Sequence, residues 1–591
     1  MLSRFRLILA MGVGAGLLGL AALAGPSVPR LPRRTAGGPN GLRVTLRLTP
    51  EAASRIAALG LEVPVTGRMF VLVARENERE PRLQVDVQGI PLWGADVSGV
   101  AAGETRTIAA GDTGVVGYPF ARFADLPPGD YWVQGFLSVY TTYRRADGHT
   151  LRMHADAGDG QNLWISPGNA YSRPARIHLD PKIGGEVRLD LTEVLPPLQP
   201  LARGGVLQQG NPPDRPQVRF VKIRSALLSA FWGRDMYIGA NVLLPRGYDE
   251  RGSVRYPVVY YAGHFPGDRA PFGFAPGQAQ QGRGAGFAEW WMSDAAPRVI
   301  AVSIRDANPY YDTSYWLNSP NVGPYGDAIT NELIPYLERT FRIIPEPWAR
   351  VVAGGSTGGW EALAVQVFNP DFFGGTWGWC PDPVDFHYHQ LVDLYRDENA
   401  YSRASGWLRL ERPGGRLPDG NVTETIRQEN DFERAVGPDA RSGGQWAIWE
   451  AAYGPVAANG YPARVWDPVT GAIDRGVASW WREHTDLNAY LARNWATLGP
   501  KLRGKLHVTV GEDDTWYLDD AVHLLDDSLR ARTNPPADAS FEYGPGKPHC
   551  WIGASPTRPG QALSNAEVVT VLADYMARHA PPAADVRSWH P

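Results

Sequence analysis

The 591-residue sequence predicts two architectures in series: an all-β sandwich, then a mostly parallel α/β sheet with helices on both faces and a large cap insertion. Three observations predict it. Between residues 41 and 195, short runs alternate in polarity and are bounded by Gly, Pro, Asp and Asn, as half-buried sandwich strands are. From residue 218 onward, continuous apolar runs alternate with helical segments, the pattern of strands covered on both faces. About 120 residues then separate Cys380 from a strand at Lys505, far more than an ordinary connection in such a sheet.

The chain opens with MLSRFRLILAMGVGAGLLGLAALAG. Arg4 and Arg6 precede an apolar stretch that ends in Ala22-Leu23-Ala24, a small-x-small cleavage signal. This reads as a secretory signal peptide over residues 1–24, and it places the protein in the periplasm or outside the cell. The rival reading, an uncleaved anchor, is weakened by the many Gly and Ala residues. No later apolar run is long enough to span a bilayer. Residues 25–40 are rich in Pro, Arg and Gly and read as a linker. A formal net charge of −4 and the lack of a long basic run argue against nucleic acid as a partner.

The sandwich strands are read at LRVTLRL, RMFVLVARE, PRLQVDVQG, DYWVQGFLSVYTTYRR, ARIHLD and EVRLDL. HADAGDGQN, His154 to Asn162, reads as a turn, because its aspartates fit no calcium loop. The Pro-rich VLPPLQPL begins a linker over residues 196–217. The second domain, 218–591, opens with the strand-rich VRFVKIRSALLSAFWGRDMYIGANVLLP. YPVVYYAG, RVIAVSIRD, RVVAG, GGTWGWC and KLHVTVG are its apolar strands. YGDAITNELIPYLERTF and WEALAVQVF are helices. The insertion, about 384–500, carries helical pieces at QLVDLYRDENAY, TETIRQENDFERAV and SWWREHTDLNAYLARNW. It is expected to lie over the strand ends, where ligands bind in such sheets.

The stretch VVAGGSTGGWEAL, Val351 to Leu363, carries the chemistry. It lacks the lysine of a phosphate loop and does not fit G-x-G-x-x-G. Gly354-Gly355-Ser356-Thr357-Gly358 instead matches G-x-S-x-G between a strand and a helix, a nucleophile elbow. Glycines belong two residues either side of the serine, where side chains would collide on so tight a turn. A serine nucleophile needs a base, and the base an orienting acid, in the chain order Ser, acid, His. Asp514 follows the last clear strand and is the expected acid, with Asp513 the alternative. Asp382, in CPDPVDF, is a second alternative, since some hydrolases place the acid after the earlier strand. His549, in FEYGPGKPHCWIG, is the expected base. The oxyanion donors should be the backbone N–H groups of Thr357 and Phe265; Pro266 has no N–H.

PVVYYAGHFPGD, GGSTGGW, GEDDTWYL and the His549 loop together resemble the "putative esterase" family of α/β-hydrolases. That family includes S-formylglutathione hydrolases, feruloyl esterases, enterochelin esterases and mycolyltransferases. The resemblance runs from about Val218 to the C-terminus, the cap excepted. It implies Ser356 as nucleophile, Asp514 as acid and His549 as base, acting without a cofactor. Two departures stand out: Gly263-His264-Phe265 where many relatives carry His-Gly-Phe, and the long insertion.

The function expected from these residues is carboxylic-ester hydrolysis through an acyl-enzyme on Ser356, with a small-molecule or glycan-linked ester as substrate. The rivals are acyl transfer with the same triad, peptide hydrolysis, and a binding protein on an inactive scaffold. Cys380 ends the strand after the elbow helix and Cys550 follows His549, so both should reach one rim of the sheet and are expected to pair as a disulfide. His387 and His389 have metal-ligand types, but no third ligand accompanies them, and no metal is expected. Trp360 is read as core.

Overall fold

The computed structural model describes residues 41–109, 112–154, 162–200, 210–250, 252–264 and 267–590. The expected signal peptide, the linker after it, most of the 154–162 turn, and Phe265 with Pro266 lie outside the described residues.

The first half of the fold is built from two sheets. The smaller joins Leu42–Leu48 to Gly185–Leu191 in parallel and to Thr105–Ala109 antiparallel. In the larger, the 16-residue strand Gly129–Arg144 pairs with Val65–Ala74 and with Ala175–Leu179. Alternation directs Val44, Leu46, Leu48, Val187 and Leu189 into the same core as Met69, Val71, Val133 and Leu137, so the two sheets share one apolar interior.

PRLQVDVQG is not a strand. Pro81–Leu83 form one tight turn, and the Asp86 carboxylate accepts from the Val87 N–H at 2.7 Å. That local bond offers the backbone an alternative to a ladder.

The second half is an eight-stranded sheet. Its strands are β1 Val218–Ser225, β2 Met236–Leu243, β3 Val258–Ala262, β4 Ile300–Arg305, β5 Arg350–Gly355, β6 Gly375–Trp379, β7 Leu506–Gly511 and β8 Ala539–Gly544. The spatial order is β1-β2-β4-β3-β5-β6-β7-β8. β2 runs against its neighbours, and β4 through β8 pair in parallel. The stretch read as strand-rich after residue 218 contains a helix, Ala226–Trp232, because the Ser225 hydroxyl caps it by accepting from Leu228 N at 3.1 Å.

The long connection between β6 and β7 holds two small hairpins and four helices: α2 Ile426–Val436, α3 Gln445–Tyr453, α4 Arg475–His484 and α5 Leu487–Leu502. QLVDLYRDENAY does not form a helix. Asp393 accepts from Tyr395 N and Arg396 N, and Asn399 from Tyr401 N and Ser402 N, at 2.9–3.0 Å. These side-chain turns capture the N–H groups a helix would need.

The connection is gripped on its far side by the sandwich. Arg68, 1% exposed, donates to Ala435 O at 2.9 Å, to Gly94 O at 3.0 Å and to Asp96 at 2.7 Å. Arg441 reaches the same Asp96 at 2.8 Å. Ala435 and Val436 pack into a core with Phe70, Leu72 and Phe136. Among the described residues, no helix is long and apolar enough to cross a membrane.

Candidate active site

β5 is apolar because both of its faces are covered, and it ends in two glycines because the chain must turn at once. Ser356 follows with φ 60° and ψ −127°, and the elbow helix, here numbered ahead of α2 as α1 Thr357–Phe368, starts immediately after it. A Cβ on Gly354 would stand 2.4 Å from Gly358 O, and one on Gly358 would stand 2.2 Å from Ala262 O at the end of β3. Both positions of the motif are therefore fixed by backbone crowding. The turn is tied down by Ser356 N donating to Trp379 O at 3.0 Å, and by Asp382 N donating to Ser356 O at 3.2 Å. The following helix aims its N-terminus at the serine, which favours negative charge there. Trp360 is fully buried in the core.

Asp514 and His549, the expected acid and base, follow β7 and β8. Asp514 is fully buried; one carboxylate oxygen accepts from Trp516 N at 2.9 Å and the other from His549 Nδ1 at 2.7 Å. Because a carboxylate only accepts, Nδ1 carries a proton, and in the neutral ring Nε2 keeps its lone pair. The two loops are stitched together by Asp513 N donating to Lys547 O at 3.0 Å. Arg416, from the insertion, donates to Asp514 O at 2.9 Å. The geometry thus selects Asp514 over Asp513 as the partner of the ring. Burial alone would lower the pKa of His549, but the Asp514 carboxylate and the Cys550 sulfur outweigh it and hold the imidazolium well above its ordinary range.

Cys380 and Cys550 carry separate thiols, so the expected bridge is not formed here. They are nevertheless neighbours: both sulfurs and a ring nitrogen of His549 lie within 4.8 Å of one another. The same sulfurs would stand 3.8 and 4.0 Å from a Cβ on Gly355, the residue before Ser356. Base and elbow are therefore side by side. Both cysteines sit at positive φ, 38° and 63°.

Asp382 is not against His549. It is 3% exposed, and its Oδ2 accepts from Tyr315 OH at 2.6 Å, Thr357 Oγ1 at 2.9 Å and Trp449 Nε1 at 3.1 Å. Trp449 lies on α3, so the insertion reaches Asp382, which also holds the hydroxyl of Thr357. Below the elbow, Asp306 Oδ2 accepts from Ser314 N at 2.7 Å, Ser314 Oγ at 2.5 Å and Thr313 Oγ1 at 3.0 Å, and burial raises its pKa to about 6. Thr313 also bonds to Glu361 of α1. Nothing in the local sequence signals this polar layer, since its members are spread over Asp306, Tyr315, Asp382 and Trp449.

His387 and His389 do not share a site. His387 Nδ1 bonds to Asp385 at 2.8 Å. His389 is fully buried among Phe386, Trp446, Trp449 and Trp481, where burial pushes its pKa down to about 3. A cavity of about 1220 Å³ opens between the insertion and the helix α6 Asp519–Arg530, lined by Asp385, His387, Arg412 and Asp520 among others. None of Ser356, Asp514 and His549 lines it.

The family whose description is "Putative esterase" matches residues 229–377, which run through β5, the elbow and β6. Over that span, which is less than half of the chain, the sequence is similar to that family. Solved structures similar to the chain include a ferulic acid esterase, at 16% identity and TM-score 0.33, over 57% of this chain and 92% of that one. An S-formylglutathione hydrolase from Agrobacterium tumefaciens is similar at 11% identity and TM-score 0.30, over 63% of this chain and 95% of the other. A fluorophosphonate-binding serine hydrolase from Staphylococcus aureus is similar at 12% identity and TM-score 0.28, over 56% and 91%. No curated protein matches the chain.

Proposed function

We propose that the protein is an exported serine esterase. The observation that carries this reading is the Asp514–His549 pair, bonded at 2.7 Å and placed beside the Ser356 elbow. In this reading His549 Nε2 takes the Ser356 proton as the oxygen attacks an ester carbonyl. The alcohol leaves with that proton, and water then enters by the same route to free the acid. The N–H of Thr357 stabilises the oxyanion, with Phe265 as the second donor. Asp514 holds the ring in the tautomer the reaction needs. The N-terminal leader sequence supports export.

Fluorophosphonate labelling and p-nitrophenyl ester turnover, on the wild type, Ser356→Ala and His549→Ala, test the reading. Labelling and turnover in the wild type, both lost in the variants, are the expected result. A folded wild type that neither labels nor turns over ester would overturn it. Edman sequencing of the protein recovered outside the cytoplasm is expected to start after Ala24.

A further inference from the structure

Among the described residues, one cluster has the composition of a metal site: Cys380, Cys550 and His549. We infer that the reduced protein binds a thiophilic divalent cation of the zinc type there, and that the bound ion withdraws His549 from catalysis. The binding half of the inference stands on geometry alone; the inhibitory half rests on the esterase reading above.

Two thiolates and an imidazole, with water or Ser356 Oγ in the fourth position, form a donor set suited to tetrahedral zinc. Ligand atoms around such an ion lie roughly 3.5–3.8 Å apart. The three atoms here are already within 4.8 Å of one another, so closing on an ion needs shifts on the order of 1 Å.

The second feature is the orienting carboxylate. A zinc-bound histidine commonly donates its other ring N–H to a carboxylate, which fixes the ring and raises its basicity. His549 already does this through Nδ1 to Asp514 at 2.7 Å, which leaves Nε2 for the ion.

The third is the mounting. Cys380 follows β6 and Cys550 follows the base, each at positive φ, and the Cys380 N–H is held by Thr509 O at 2.6 Å. Strained residues of this kind persist where the surrounding fold determines them, and they concentrate at functional sites. Cys380 is fully buried, whereas Cys550 and the His549 side chain, 13% exposed, offer the way in.

The binding step is balanced: the ion enters as M²⁺, the two thiols lose two protons to solvent, and no electron moves. Oxidation of the same thiols to a disulfide would consume both sulfur ligands, so ion and disulfide exclude each other.

The test uses the full chain, reduced under argon, with its two thiols counted by Ellman's reagent. Cobalt(II) is titrated in as the spectroscopic probe, and zinc then displaces it. One equivalent of cobalt with a thiolate-to-metal charge-transfer band is expected, with affinity at least tenfold weaker in both Cys380→Ser and Cys550→Ser. Ester turnover of the reduced wild type should fall at least tenfold with zinc and recover on chelation. Three results would overturn the inference: reduced wild type that gives no charge-transfer band, a band unchanged in the double Cys→Ser variant, or a Cys380–Cys550 disulfide that resists reduction in the folded protein. Because the band is read without substrate, a failure of the esterase reading would leave the metal result intact.

Discussion

The Nδ1 of His549 donates to the Oδ2 of Asp514 across 2.7 Å, although the two residues are 35 positions apart. What holds them together is the pairing of β7 with β8 and the crossing of Asp513 onto Lys547. Asp514→Asn keeps the shape of the acid but lets the ring adopt the wrong tautomer. The expected loss in kcat is about 10⁴-fold with near-wild-type Tm. Asp513→Asn should stay within about threefold of wild type, a change of roughly 0.7 kcal/mol. Steady-state kinetics on the two variants separate the two acids.

Gly358 has no room for a methyl group: Ala262 O would lie 2.2 Å from it. Gly358 lies in the first turn of α1 and Ala262 O is backbone at the end of β3, so neither yields easily. Gly358→Ala should cost about 3 kcal/mol and abolish labelling of Ser356. Urea denaturation followed by tryptophan fluorescence measures the first, and a fluorophosphonate gel the second.

Asp382 takes four donors on one buried oxygen, from Tyr315, Thr357, Trp449 and Gln445. Removal of its side chain strands Trp449 Nε1 away from water and leaves Tyr315 OH and Thr357 Oγ1 only each other and Gln445 as partners. Asp382→Ala is expected to destabilise the fold by about 3 kcal/mol or more. A loss of activity that returns with Asp382→Asn would mark a positioning role in place of an acid's.

Asp306 offers a pH test. Its folded pKa is raised from 3.8 to about 6, so the folded state holds the proton more tightly than the unfolded chain. Stability from this group is therefore full below pH 3.8 and lost as pH rises through about 6. The loss is on the order of 3 kcal/mol. All three donors point at Oδ2, so an asparagine can mimic the protonated acid. Asp306→Asn should remove the decline between pH 4 and 6 from a series of Tm measurements, against a wild type that shows it.

The parallel strands, the tight turn at Ser356 and the pairing of Asp514 with His549 were legible because each rests on short-range pattern. An apolar run, a G-x-S-x-G and a carboxylate after a strand all announce themselves within a few residues. Failures came where a side chain competed locally for backbone N–H groups: Asp86 in PRLQVDVQG, Asp393 and Asn399 in QLVDLYRDENAY. Alternation and helical period are both blind to that competition. The Asp382 layer was illegible for another reason. Its partners Tyr315 and Trp449 approach from segments 67 residues away on either side, and no local window contains them.

Arg68 makes a related point about the two halves of the chain. It is buried, and it bridges the sandwich to Ala435 at the end of α2. Arg68→Ala should cost about 2 kcal/mol and speed tryptic cleavage within residues 381–486, leaving the sheet resistant.

That clamp bears on how such a protein can change. The segment between β6 and β7 is anchored on the first half of the chain, which supplies none of Ser356, Asp514 and His549. Substitutions around the buried Arg68 would therefore shift the insertion while leaving Ser356, Asp514 and His549 untouched. Residues 218–591 moved without residues 41–195 would keep the Asp514–His549 pair and the insertion but lose the Arg68 anchor that holds Ala435.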